Sequence, residues 1–141
     1  MDIEIGSNVY RNSNGVIEVE GVPLLQFALK PSTGALLVNF ALFEQAGRMI
    51  AKVVDSTLAF NERRAYEVNR SLQNFELKEI ESGKLVLRIQ QRSPGHVAID
   101  KASFWTIKGH LCEVSATECR IDKHRLSGTD TDAKGGAAAI G

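Results

Sequence analysis

The chain is poor in the groups from which scaffolds and catalytic sites are usually built. Two cysteines, Cys112 and Cys119, are too few for a disulfide framework and fit a reducing compartment. No apolar run approaches the roughly 18 to 20 residues that a membrane-spanning helix needs. The first residues, Met1-Asp2-Ile3-Glu4-Ile5, alternate and are acidic, unlike the basic and then apolar start of a signal peptide. A cytoplasmic protein with no membrane partner is expected. Neither sign of charge dominates, since Lys plus Arg and Asp plus Glu both number 17. Nucleic-acid-binding domains draw much of their affinity from a basic excess, so nucleic acid is not the expected partner. Neutrality also removes a safeguard against self-association.

Catalytic signatures are equally scarce. The chain has no Gly-x-Ser-x-Gly elbow, no Gly-x-x-x-x-Gly-Lys-Ser/Thr phosphate loop and no Gly-x-Gly-x-x-Gly fingerprint. No catalytic residue and no cofactor is therefore assigned.

What the sequence does contain is strands. Val16-Ile17-Glu18-Val19-Glu20, Leu85-Val86-Leu87-Arg88-Ile89 and Val97-Ala98-Ile99 are short β-rich runs bounded by Gly, Pro, Asn and Ser. Over Phe60–Leu77, the positions of Leu58, Ala65, Val68, Leu72 and Phe75 approximate a helical period, which allows one short helix near 61–74. Asn61, Asn69, Ser71 and Asn74 oppose it, because they favour turns.

A repeat is more informative. Gly21-Val22-Pro23-Leu24-Leu25-Gln26-Phe27 reads Gly, any, apolar, apolar, any, polar, apolar. Gly47-Arg48-Met49-Ile50-Ala51-Lys52-Val53 and Gly83-Lys84-Leu85-Val86-Leu87-Arg88-Ile89 repeat it, and a degenerate copy starts at Gly109. A strand that meets a glycine at positive φ and leaves as a second strand is a hairpin. Gly21, Gly47 and Gly83 are thus expected turn residues. The expected fold is all-β, with repeated hairpins forming a meander sandwich or a barrel, and a short β-helix as the alternative. One β-rich domain is expected over 1–126. Residues 127–141 carry a single large apolar residue, Ile140, and are expected to form a disordered tail.

Four metal-ligand types occur close together, in the order His110, Cys112, Cys119, His124. Their spacing lacks the tight Cys-x2–4-Cys knuckle of structural zinc sites. A hairpin turning about Ser115-Ala116 would set Cys112 opposite Cys119, so two reduced core thiols are the favoured reading, with a metal site and a disulfide as the alternatives. Two basic stretches, Arg63, Arg64 and Arg70, and Arg120, Lys123 and Arg125, are candidate anion or nucleic-acid contacts. Glu62, Glu67 and Asp122 dilute both. Trp105, the single tryptophan, is expected in the core.

Asn39–Ile107 resembles a β-rich module of bacterial proteins that sometimes stands beside HNH-type endonuclease segments. The resemblance is carried by the turns Gly47–Val53 and Gly83–Ile89 and by Ala65-Tyr66-Glu67-Val68-Asn69-Arg70 between them. It implies a bacterial or phage accessory domain. The His-Asn-His constellation of the nuclease is absent from this chain, so no functional residue carries over. The expected function is a non-catalytic binding or assembly module, acting on a protein partner or on itself as a homo-oligomer. A small metal-dependent enzyme and a nucleic-acid-binding accessory domain are the alternatives.

Overall fold

Alternation decides the backbone. Along Leu36–Phe43, Leu36, Val38, Phe40 and Leu42 are buried while the residues between them are half-buried, the period of two that a strand imposes. A computed structural model describes residues 1–19, 22–45, 47–122, 124–125, 130–132 and 138–140. Strands take 63% of the chain, against a single 3₁₀ turn at Glu62–Arg64, so the fold is all-β.

The strands form two antiparallel meanders. The first runs β3 (Val16–Val19), β4 (Val22–Leu29), β5 (Leu36–Phe43), β6 (Met49–Val54) and β7 (Thr57–Asn61), each paired with the next. The second runs β8 (Tyr66–Arg70), β9 (Asn74–Glu79), β10 (Leu85–Ser93) and β11 (His96–Trp105). The long β11 then serves two partners end to end. Its first half pairs in parallel with β1 (Asp2–Ile5), which continues to β2 (Asn8–Arg11). Its second half pairs with β12 (Leu111–Val114), followed by β13 (Cys119–Ile121) and β14 (His124–Arg125).

One ladder pair, Phe43 with Trp105, joins the meanders. Their inner faces meet through side chains. Phe40 of β5 packs edge-on against Phe75 of β9 and at a tilt against Phe104 of β11, both at 6.1 Å between ring centres. The sheet is not closed into a barrel, because among the described residues β7 pairs only with β6 and β8 only with β9. The β-helix alternative fails as well. Its successive coils would pair in parallel, whereas sequence neighbours here pair antiparallel.

The helix expected near 61–74 reduces to the 3₁₀ turn. Arg63 and Arg64 take left-handed φ of +52° and +53°, which interrupts any α-helix. Asn61 closes this corner, since its Nδ2 donates to the Tyr66 carbonyl and its Oδ1 accepts from the Tyr66 amide. Leu72, placed on the apolar stripe by the helical period, is 61% exposed, while Phe75 is 1% exposed.

The glycine turns stand where the repeat places them. Gly47, at φ +87°, turns β5 into β6, and Gly83, at φ +70°, turns β9 into β10. Gly109 does the same between β11 and β12, at φ +79°. Gly21 lies outside the described residues. Pro23 sits second in β4, opposite Glu18 at a register shift, where a missing amide is tolerated. In the segment assigned to a tail, β15 (Asp130–Asp132) lies beside β2 and β16 (Ala138–Ile140) beside β3. The rest of 127–141 lies outside the described residues.

Candidate functional site

The outward positions of β4, β5 and β6 form two cross-strand rows. Gln26 pairs with Asn39, and Ala41 pairs with Lys52. Leu24 and Val54 extend these rows. Ala41 is the small residue at the centre, and the surface dips there between Leu24 and Lys52.

The turn Thr106–His110 closes over this dip. The Thr106 amide donates to the His110 carbonyl at 2.9 Å, the Gly109 amide to the Thr106 carbonyl at 3.0 Å, and the His110 amide to Thr106 Oγ1 at 3.1 Å. The result is a groove of about 410 Å3. Its floor is Leu24, Gln26, Asn39, Ala41, Lys52 and Val54, and its other wall is Ile107, Lys108 and His110.

Three anchors hold the groove's shape. At one end, the two hairpin turns lock together: a Cβ on Gly47 would stand 2.9 Å from the Ile107 carbonyl oxygen, and one on Gly109 would stand 3.0 Å from that of Gln45. At the wall, His110 Nδ1 and Asp122 Oδ2 are 2.7 Å apart, and the Leu111 amide donates to Asp122 Oδ1 at 2.9 Å. Asp122 adopts a left-handed φ of +57°, a conformation that Asp tolerates better than most residues. On the floor, Asn39 Oδ1 accepts the Asp55 amide at 3.0 Å. That turn is pinned to β5 by Ser56, 1% exposed, whose Oγ accepts the Val38 amide at 2.9 Å.

The predicted metal quartet does not assemble among the described residues, where no three His, Cys, Asp or Glu side chains converge as ligands. His110 lines the groove, while Cys112 and Cys119 are buried inside and reduced. The side chain of His124 lies outside the described residues. The two cysteines are not directly opposite. The turn spans Ser115–Glu118, so Cys119 pairs with Val114 and Cys112 with Ile121. A two-residue shift keeps both thiols on the inner face and makes them diagonal neighbours. A hydrogen bond to Cys119, with burial second, pushes the Cys112 thiol well above its ordinary range. An inert structural cysteine has this character, since the nucleophilic form is the thiolate.

The two basic stretches do not meet. Arg63, Arg64 and Arg70 are exposed at the β8 side of the second meander. Arg120 lies on β13, with β9, β10, β11 and β12 between, and is ion-paired with Glu118 at 3.1 Å. Lys123 and the side chain of Arg125 lie outside the described residues. A second hollow, of about 310 Å3, is lined by Lys84, Lys101 and Arg120 together with Glu113 and Glu118, a mixture of charges suited to a solvated face. Trp105 is half-buried beside the groove turn rather than deep in the core.

Sequence reasoning found His110 but missed the groove, which is made of outward-facing residues from three strands and a turn more than fifty residues further on. Comparison with family models, with characterised proteins and with solved structures finds no match to this chain.

Proposed function

We propose that this chain is a non-catalytic binding module that holds its ligand in the groove between β4–β5–β6 and the Thr106–His110 turn. One observation carries the reading: a preformed hollow of about 410 Å3 whose lining combines apolar side chains with a few placed polar groups. Ligand sites commonly have this size and composition. The lining supports binding rather than turnover. It offers one histidine, already engaged by Asp122, and no serine, cysteine, aspartate or glutamate.

The test fills the hollow. Ala41→Phe places an aromatic ring at the centre of the floor, on an outward strand position where β propensity favours it. The neutral dye N-phenyl-1-naphthylamine is expected to bind the native protein and to lose at least tenfold in affinity to the variant, with the melting temperature unchanged. Equal binding by both proteins would place the dye elsewhere and remove the reading.

Self-association has an observation of its own. The outer edges of β7 and β8 are unpaired among the described strands, and Phe60 on β7 is 42% exposed. Open edges of this kind accept a further strand. Light scattering reads it directly: a dimer that Phe60→Lys dissociates supports it, and a strict monomer at high concentration removes it.

A further inference from the structure

We propose that the groove's ligand is a small apolar molecule bearing one anionic group, of the carboxylate or sulfonate kind. This rests on the groove being the binding site. The argument is charge complementarity. Acids and bases balance over the whole chain, at 17 each, but among the described residues the groove lining includes Lys52, Lys108 and His110 and no Asp or Glu.

The cations stand on different elements. Lys52 projects from the floor and Lys108 from the turn above it. Across the ladder, Lys52 faces Ala41 on one side and Phe60 on the other, so neither cross-strand neighbour neutralises it. Among the described residues it has no ion pair. Leu24, Ala41, Val54 and Ile107 supply the apolar surface between the cations. A molecule whose apolar body covers these four and whose anion reaches Lys52 satisfies both halves of the lining. A low-dielectric wall strengthens that attraction relative to open water.

The floor also argues against an extended peptide. Strands β4, β5 and β6 are each paired on both sides, so the groove presents no free backbone edge for strand addition. Recognition falls to side chains alone, which suits a compact ligand.

Two dyes isolate the charge. 1-Anilinonaphthalene-8-sulfonate and N-phenyl-1-naphthylamine share the same aromatic amine body and differ by the sulfonate. At low salt the anionic dye is expected to bind at least tenfold more tightly, and this preference should shrink as salt is added. Lys52→Met keeps the aliphatic stem and removes the charge. It is expected to reduce the preference, read as the ratio of the two dye affinities in the same variant, at least fivefold. Equal affinities in the native protein, or a preference undiminished in both Lys52→Met and Lys108→Met, would overturn the anionic ligand while leaving the groove as a site. If neither dye binds, or if Ala41→Phe leaves both bound, the groove reading itself fails and this inference with it.

Discussion

Gly47→Val is expected to lower the unfolding free energy by about 3–4 kcal/mol, and Gly83→Val by only about 1–2 kcal/mol. Both glycines hold a left-handed backbone, at φ +87° and +70°, so a β-branched residue is strained at either. The difference lies in what the new Cβ would meet. At Gly83 nothing stands within 4 Å, whereas at Gly47 the Ile107 carbonyl oxygen is 2.9 Å away. That oxygen belongs to the backbone of the opposing turn, whose own Gly109 is approached as closely by the Gln45 carbonyl oxygen, so it cannot swing aside like a side chain. Asn separates the two terms, because it tolerates left-handed φ but still carries a Cβ. Gly83→Asn should be near neutral, and Gly47→Asn should still cost about 1–2 kcal/mol. Urea unfolding of the four variants checks this, and equal losses at the two positions would mean that the locked turns contribute nothing.

The repeat that points to these turns was only partly legible. Its form also fits Gly34-Ala35-Leu36-Leu37-Val38-Asn39-Phe40. In the structure this copy is the closest relative of Gly83. The Gly34 amide donates to the Lys30 carbonyl and the Gly83 amide to the Glu79 carbonyl, four residues back in each case. Gly47 and Gly109 bond three residues back instead, to Glu44 and Thr106. One sequence pattern thus covers two turn lengths. Loop length sets register, and a pattern of apolar residues does not reveal it. The same blindness misplaced Cys119 opposite Cys112, since a four-residue turn and a two-residue turn leave the same residues on the inner face.

The helical spacing over Phe60–Leu77 misled for a different reason. Phe75 and Leu77 owe their burial to β10, through the pairs Phe75–Ile89 and Leu77–Leu87. Such partners lie outside any local window. The groove was out of reach for the same cause, multiplied. Ala41, Lys52 and Ile107 carry no mutual spacing signal, and each read alone is an ordinary surface residue. His110 drew notice as a metal ligand because its neighbours in sequence are cysteines, but its partner in space is Asp122.

Phe40→Ala is expected to cost about 3–5 kcal/mol, the range for truncating a buried phenylalanine. The position is more critical than its 6% exposure alone conveys. Among the described residues one ladder pair, Phe43 with Trp105, and one backbone bond, from the Leu36 amide to the Leu72 carbonyl at 2.9 Å, join the two meanders, so most of their mutual hold rests on side chains crossing between the inner faces. Phe40 meets both Phe75 and Phe104, from two different strands of the second meander, at 6.1 Å each. Edge-on aromatic pairs add about 0.5–1.5 kcal/mol beyond burial, so a Phe40/Phe75 double-mutant cycle should return a coupling of that size. Phe60→Ala, on the open edge of β7 and 42% exposed, is the contrast and should cost under about 1 kcal/mol. Chemical denaturation followed by circular dichroism and by Trp105 fluorescence reads both effects, the second probe lying on β11 beside the groove turn. In the native protein the two signals should fall together. In Phe40→Ala they should separate if the cavity uncouples the meanders, or shift together if other inner-face contacts maintain cooperativity. A loss at Phe40 no larger than at Phe60 would show that the ring contacts do not hold the meanders together.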